Sequence, residues 1–437
     1  MSRLRLRTAR GVLLAAALCG GLAARAGAQA PDRALEFGDL GFDQWLDASA
    51  RGAALSAFAA TVADATALAY NPAGLARIKR FSAVASLGMT RSTFDGAYDG
   101  SARTADRDES ALQFVGAAFP LPVLRGSLVP AIGVHRIFSS SLDLAYQGFN
   151  APDSRIDRLA LSQGGGSYAV HLGGAIDLSA AFAAGVDLMV LDGNIDRVRQ
   201  YDTQSLVVNP NVHTFVYEDV TADVDGYGAR FGLEFYALER LQIAVVFTTP
   251  LVVETHANTV TETTQQVDND VGSFTRETST QSTKYKTPYR IEGALSLAVS
   301  PALLLAAQVG YADWSQATID DERLITSDLE NVLRSVLDVS AGIEWSLQRW
   351  PLRVRAGFAL ARRPADHLEA DRIDNDRLER VDAESATTRY SLGAGYLLRG
   401  AIGIDAAFQY GHGQQSSNTI GDERSASSVY IGCGYWF

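Results

Sequence analysis

The sequence predicts an all-β protein: a 14-stranded antiparallel transmembrane β-barrel over residues 81–437, with a small N-terminal helical hatch, residues 29–80, in its lumen. Three observations predict it. Residues 1–28 read as an export leader. From Phe81 to Phe437 the chain repeats segments of roughly ten residues that alternate apolar with polar or small side chains. Beyond the leader, no stretch approaches the roughly 20 apolar residues that a transmembrane helix needs.

The leader carries Arg3, Arg5, Arg7 and Arg10, then the apolar run 12–18, then small residues up to Ala26, Gly27 and Ala28. That order is the one a secretory signal peptide follows, with cleavage after Ala28. Once it is gone, Cys433 is the only cysteine, so no disulfide and no cysteine-paired zinc site can form within the mature chain. The net charge is -12, and the leader removes arginines only, so the exported chain is more acidic still. Such a chain does not attract nucleic acid. Mean hydropathy of 0.00 with 47% apolar residues also suits a large soluble protein, so the pattern has to decide.

Alternation of period two marks strands with two different faces. It places strands at 81–94, 109–119, 128–138, 166–178, 182–192, 223–236, 240–254, 287–299, 303–315, 337–347, 352–362, 387–398, 401–410 and 426–437. In the last of these, Val429, Ile431, Cys433, Tyr435 and Phe437 oppose Ser428, Tyr430, Gly432, Gly434 and Trp436. Ile404 and Phe408 likewise oppose Asp405 and Gln409. Connections at 237–239, 300–302 and 399–400 are tight, whereas 193–222, 255–286 and 363–386 are long, as expected of short periplasmic turns and long outer loops. Both termini then lie on the periplasmic side. A sheet in lipid has to close, because lipid offers no partner to an unpaired edge. Fourteen strands leave a lumen that wall side chains alone do not fill.

Residues 29–80 are not strand-like and are the expected plug. Small residues dominate 49–58 and 62–75, which suits close packing in a confined space. Residues 65–70 read as a short helix capped by Asp64 and ended by Asn71 and Pro72, and Gly74 is expected to supply a positive backbone angle in the turn that follows.

No nucleophile elbow, phosphate loop, zinc-protease helix or dinucleotide glycine pattern is present. His171 and His135 fall on inward faces, but polar residues lining a lumen need no catalytic explanation. The chain reads as a non-enzyme with no cofactor and no metal. Inward charges include Asp187, Arg230, Glu234, Glu292, Glu344, Arg353, Arg355 and Asp405. At membrane depth they are expected to pair with each other or with the hatch. A second role, Arg353 and Arg355 holding a carboxylate cargo, is the weaker alternative. Residues 258–283 and the acidic run 371–376 are expected to be solvated outer loops, and neither has a full calcium-loop spacing. The triple Gly164, Gly165 and Gly166 is expected to be a flexible lead-in to a strand.

The hatch segment, with Ala50-Arg51-Gly52 and Asn71-Pro72-Ala73-Gly74-Leu75, resembles that of the FadL/TodX family of outer-membrane transporters for hydrophobic compounds. It is similar also to PorV-type barrels that share these signatures. The chain departs from the pattern at Ala57, where Gly is common, and in having a single Asp, Asp64. The final Phe437 on an amphipathic strand resembles the recognition signal read by the barrel assembly machinery of bacterial outer membranes. The resemblance implies an outer-membrane location among lipid and lipopolysaccharide. It further implies passive uptake of a hydrophobic small molecule, such as a long-chain fatty acid or an aromatic hydrocarbon, with sideways exit through a gap at a kinked third strand. Pro130, which lacks an N–H for the ladder, is the candidate marker of that gap. The PorV-type likeness implies instead a docking or secretion partner.

Overall fold

The computed structural model describes residues 46–98, 101–150, 154–206, 212–267, 270–321, 334–347, 349–362, 386–416 and 420–437. The leader, residues 29–45 and the acidic run 371–376 lie outside them. Among the described residues, eighteen strands form one sheet. They are β1 (Ser82–Tyr98), β2 (Ser101–Ala118), β3 (Leu128–Ser139), β4 (Leu142–Asn150), β5 (Arg155–Ser179), β6 (Phe182–Ser205), β7 (Val212–Leu238), β8 (Leu241–Thr248) and β9 (Val252–Val267), followed by β10 (Asp270–Lys286), β11 (Arg290–Ser300), β12 (Leu303–Asp313), β13 (Thr318–Asp321), β14 (Ser335–Leu347), β15 (Leu352–Arg362), β16 (Ala386–Leu398), β17 (Ile402–Ser416) and β18 (Ile420–Trp436).

Fourteen of these build the closed wall: β1, β2, β3, β5, β6, β7, β8, β11, β12, β14, β15, β16, β17 and β18, all antiparallel, with β1 pairing back onto β18 from Ser82↔Trp436 to Tyr98↔Ile420. The fourteen correspond one for one to the segments that alternation marks. The other four, β4, β9, β10 and β13, stand beyond the wall's long-loop end, paired to β5, β7, β9 and β10 respectively.

Three sequence expectations about this end are corrected. The segment 240–254 is not one strand: β8 stops at Thr248, Thr249-Pro250-Leu251 interrupts the ladder, and β9 resumes at Val252. Pro250 has no N–H to donate, and Pro288 sits in the matching break between β10 and β11. Second, 258–283 is not a solvated loop but the hairpin β9–β10, because its Thr-rich alternation is itself a strand pattern. Third, most of 193–222 continues β6 and β7. A strand spans the bilayer with about 9–11 residues, whereas β5, β6 and β7 have 25, 24 and 27. More than half of each therefore exceeds what one membrane crossing needs. The glycine triple lies inside β5, where Gly165 and Gly166 take φ of 110° and 158°.

Outward positions carry a belt of exposed apolar side chains on every wall strand, among them Leu87, Val115, Ile132, Leu172, Leu188, Phe231, Ile243, Leu295, Leu305, Ile343, Val354, Leu392, Ile404, Phe408, Ile431 and Tyr435. Cross-strand neighbours Phe358, Tyr390 and Tyr410 form an aromatic row at one edge of the belt. Trp345, Tyr396 and Tyr435 mark the other edge. Tyr390 and Tyr396 are six residues apart, about 20 Å along the strand, comparable with the apolar band of a membrane barrel. The opposite faces carry Gln409, Glu344 and Arg355, all buried.

Residues 46–80 fill the base of the lumen. Helix α1 (Ala50–Leu55) is capped by Ser49, which accepts from the Gly52 N–H at 3.1 Å. Helix α2 (Ala67–Tyr70) begins two residues later than expected, and Asp64 instead accepts from the Thr66 N–H in the preceding turn, at 2.9 Å. A 3-10 turn, Pro72–Arg77, returns the chain to β1.

Candidate functional site

The hatch is seated on small inward residues of the wall. A Cβ added at Gly232 would stand 2.0 Å from Asn71 Oδ1, one at Gly185 would stand 2.3 Å from Pro72 C, and one at Gly342 would stand 2.1 Å from Leu55 O. Asn71 is fully buried. Its Oδ1 accepts from the Ala73 N–H at 3.1 Å and its Nδ2 donates to Ala59 O at 3.0 Å, so Asn71, Pro72 and Ala73 act as one clip. Gly74 has no positive φ, contrary to expectation. A Cβ there would stand 2.6 Å from Val62 O, so the residue is small because of close backbone approach.

Wall side chains satisfy the hatch's free backbone groups. Gln308 Oε1 accepts from the Phe58 and Ala59 N–H groups, both at 3.2 Å. Ser391 donates to Ala54 O at 3.0 Å and Ser296 to Ala60 O at 3.3 Å. Arg230 donates to the carbonyls of Leu68, at 3.1 Å, and Ala69. Sequence reasoning missed Gln308, Ser296 and Ser391. Their inward parity was readable, but their partners lie more than 230 positions away.

Apart from Arg230, the inward charges fall into four groups. Arg355 reaches Glu344 at 2.7 Å and Asp405 at 2.5 Å, while Arg51 of the hatch and Arg353 approach the same Glu344 at 3.5 and 3.6 Å. Arg353 lies at the half-open base, its side chain 46% exposed, whereas that of Arg355 is 2% exposed. Glu292 pairs with Arg290 at 3.3 Å and accepts from Gln308 Nε2 at 3.0 Å. Glu234 pairs with Arg77 of the hatch at 3.3 Å. Asp187 accepts from His171 Nδ1 at 2.7 Å, both groups fully buried. Arg355 and Arg353 therefore already have carboxylate partners from the chain itself.

Above the hatch the inner wall turns apolar. Ile137, Phe138, Met189, Leu191, Ile195, Val224 and Val336 of the wall strands, with Leu251, Val253, Tyr285, Trp314 and Ile319 from the segments that stand beyond the wall, form one buried cluster. It begins where the wall is broken. The β2–β3 ladder has only five pairs, Phe114↔His135 to Ala118↔Ala131. Beyond Phe114, β2 runs on to Ser101 paired with β1 alone among the described residues. Past His135, β3 bulges between Arg136 and Phe138, and both Ile137 and Phe138 become fully buried as the strand leans into the lumen. The space between β2 and the β3–β4 segment is spanned by side chains: Arg136–Glu109 at 2.5 Å and Arg107–Asp143 at 3.2 Å. The hatch reaches the same place, where Leu46 N–H donates to Ile137 O at 3.1 Å and His135 Nε2 meets Leu46 O at 3.1 Å.

Pro130 is not at the break. It lies at the base of β3 in register with Gly174, and its carbonyl accepts from the Phe119 N–H at 2.9 Å. Its missing N–H falls where the β2–β3 ladder has ended.

No family model matches the chain, and no curated protein matches it. Solved structures do. A FadL homologue of Pseudomonas aeruginosa aligns over 89% of this chain and 98% of its own, with a TM-score of 0.63 and 12% identity. The P. putida toluene transporter TodX aligns over 90% and 99%, with a TM-score of 0.63 and 12% identity. The Ralstonia pickettii toluene transporter TbuX aligns over 88% and 97%, with a TM-score of 0.56 and 13% identity. At these identities the likeness is one of fold, and it extends over nearly the whole of each chain.

Proposed function

We propose that this protein is a plugged barrel of the bacterial outer membrane that takes up hydrophobic small molecules passively, of the class of long-chain fatty acids or aromatic hydrocarbons. The observation that carries the reading is the broken β2–β3 ladder adjoining the apolar cluster above the hatch. An apolar guest gains free energy by leaving water for such a lining. With the hatch closing the periplasmic end, the break gives it a sideways route into the hydrocarbon. The solved structures of similar fold include toluene transporters, which supports the substrate class. Export, assembly by the barrel machinery and contact with lipopolysaccharide belong to the same reading. A docking platform for exported cargo is the second reading, favoured by the long outward extensions of β5, β6 and β7.

The test is uptake of radiolabelled oleate or toluene by a strain lacking the gene, complemented with the wild type or with an Arg107→Cys, Asp143→Cys, Cys433→Ser variant. Joining the two new cysteines with a short bis-maleimide ties β2 to β4 across the break. Uptake restored by the wild type and abolished by the tie is expected. Uptake indifferent to the tie excludes the sideways route, and no uptake in any strain favours docking.

A further inference from the structure

We infer that the connection between β2 and β3 is an interfacial anchor that beds the foot of the wall break in the phospholipid leaflet. The inference rests on the outer-membrane reading above.

At this end of the barrel the other connections are short and present either polar tips, as Glu239 with Arg240 and Arg399 with Gly400, or small ones, as Ala180 with Ala181 and Pro301 with Ala302. Single apolar residues, Leu238 and Trp350, stand out among them. Residues 119–127 differ: Phe119, Leu121, Val123 and Leu124 are all exposed, and Leu124 is as exposed as in an open chain, at 104%. Isolated exposed apolar residues are ordinary, whereas a contiguous group signals something that covers it.

The group is held in place. Phe81 and Phe119 have ring centroids 5.3 Å apart, and the hairpin gains one more rung where the Leu121 N–H donates to Leu128 O at 2.8 Å. The tip then swings sideways under β3. Gly126 takes φ of 75°, a Cβ there would stand 3.0 Å from Asp177 O, and the Asp177 N–H donates to Ser127 O at 3.3 Å. The connection is thereby folded against the foot of β5 instead of hanging free.

The occupant follows from what adjoins it. The exposed Leu128, Ile132, Ile176 and Leu178 join the four apolar residues to the lipid-facing belt without a polar interval on the outward face. Arg125 is exposed at the tip, and Lys79, paired with Asp177 at 3.5 Å, stands beside it. An apolar group continuous with the membrane belt and edged by cations is the pattern of a segment lying in the headgroup region of anionic phospholipid. β2 and β3 are also the two strands that part above His135, so this connection, five rungs and the side-chain bridge at Glu109 join them. Anchoring it fixes the depth at which the break opens.

The test places an environment-sensitive fluorophore on Leu124→Cys in a Cys433→Ser background, with the protein in vesicles of phosphatidylethanolamine and phosphatidylglycerol and iodide on both sides. Leu124 lies outside every ladder, and heat-modifiable migration confirms that the barrel has formed. Iodide quenching about threefold weaker than at an Arg399→Cys label, with quenching by shallow nitroxide lipids, is expected of an interfacial site. Iodide quenching equal at the two positions overturns the anchor. The native chain labelled at Cys433, which faces outward, separates the two readings. Protection at Cys433 with exposure at Leu124 overturns the anchor alone, and exposure at both overturns the membrane reading with it.

Discussion

Arg355 has two carboxylates within 2.7 Å and almost no water, so its charge is held by Glu344 and Asp405 alone. Removing Arg355 leaves the half-buried Asp405 without its 2.5 Å contact and the buried Glu344 with only the longer contacts to Arg51 and Arg353, at a cost of about 3 kcal/mol. Arg355→Ala is expected to lower barrel stability by about that amount, read as a shift of the urea midpoint in detergent micelles. Arg353→Ala, at a half-exposed side chain with a 3.6 Å contact, is expected to shift it by less than about 1 kcal/mol. The inward parity of these residues was legible because alternation is a local property. The Arg355–Glu344 pair spans a tight hairpin and was within reach of the same reasoning. Arg51 approaching Glu344 was not, since nothing local to 51 or 344 specifies the meeting. Gly74 teaches the converse: its smallness was legible, but the cause was the Val62 carbonyl rather than its own backbone angle.

At the scale of elements, the hatch is bound to the wall on several sides through Gln308, Ser296, Ser391, Arg230 and Glu234. It has little apolar volume of its own, with Ala the commonest residue in its core, and a segment this short does not build a stable domain unaided. Deleting residues 46–74 is therefore expected to leave the wall formed but to convert a barrel of very low ion conductance into a conducting pore in planar bilayers. Equal conductance before and after would show that the hatch does not seal the lumen. The wall strands were readable because each needs an apolar outward face. The outer strands β4, β9, β10 and β13 were not, because outside the membrane that demand lapses and Thr-rich alternation looks like a polar loop. Pro250 carried the missing information, since a proline inside an expected wall strand argues for an interruption there.

For the whole molecule, closure depends on the contact between β1 and β18. The Phe437 N–H donates to Phe81 O at 3.0 Å, and the Phe437 ring stacks on Tyr435 at 6.3 Å while remaining 81% exposed. An exposed aromatic at the foot of the closing ladder contributes little to packing, and on the outer-membrane reading proposed above its value lies in recognition during assembly. Phe437→Ala is expected to reduce the yield of heat-modifiable barrel in cells severalfold while leaving the urea midpoint of the assembled fraction within about 0.5 kcal/mol of the wild type. A stability loss matching the yield loss would assign the residue to packing instead.

The ladder between Ser82 and Trp436 has a consequence in time. β1 finds one of its two partners, β2, at once, but the other is more than 300 residues downstream. Contacts of that separation form slowly, because the entropy of closing the intervening loop is lost before the pairing returns anything. Until β18 arrives, the unfinished chain carries two open sheet edges and a half-exposed apolar belt, both of which favour association with other chains. The barrel is thus a structure whose vulnerability is greatest just before it is finished, and its assembly is a race between the last strand and aggregation.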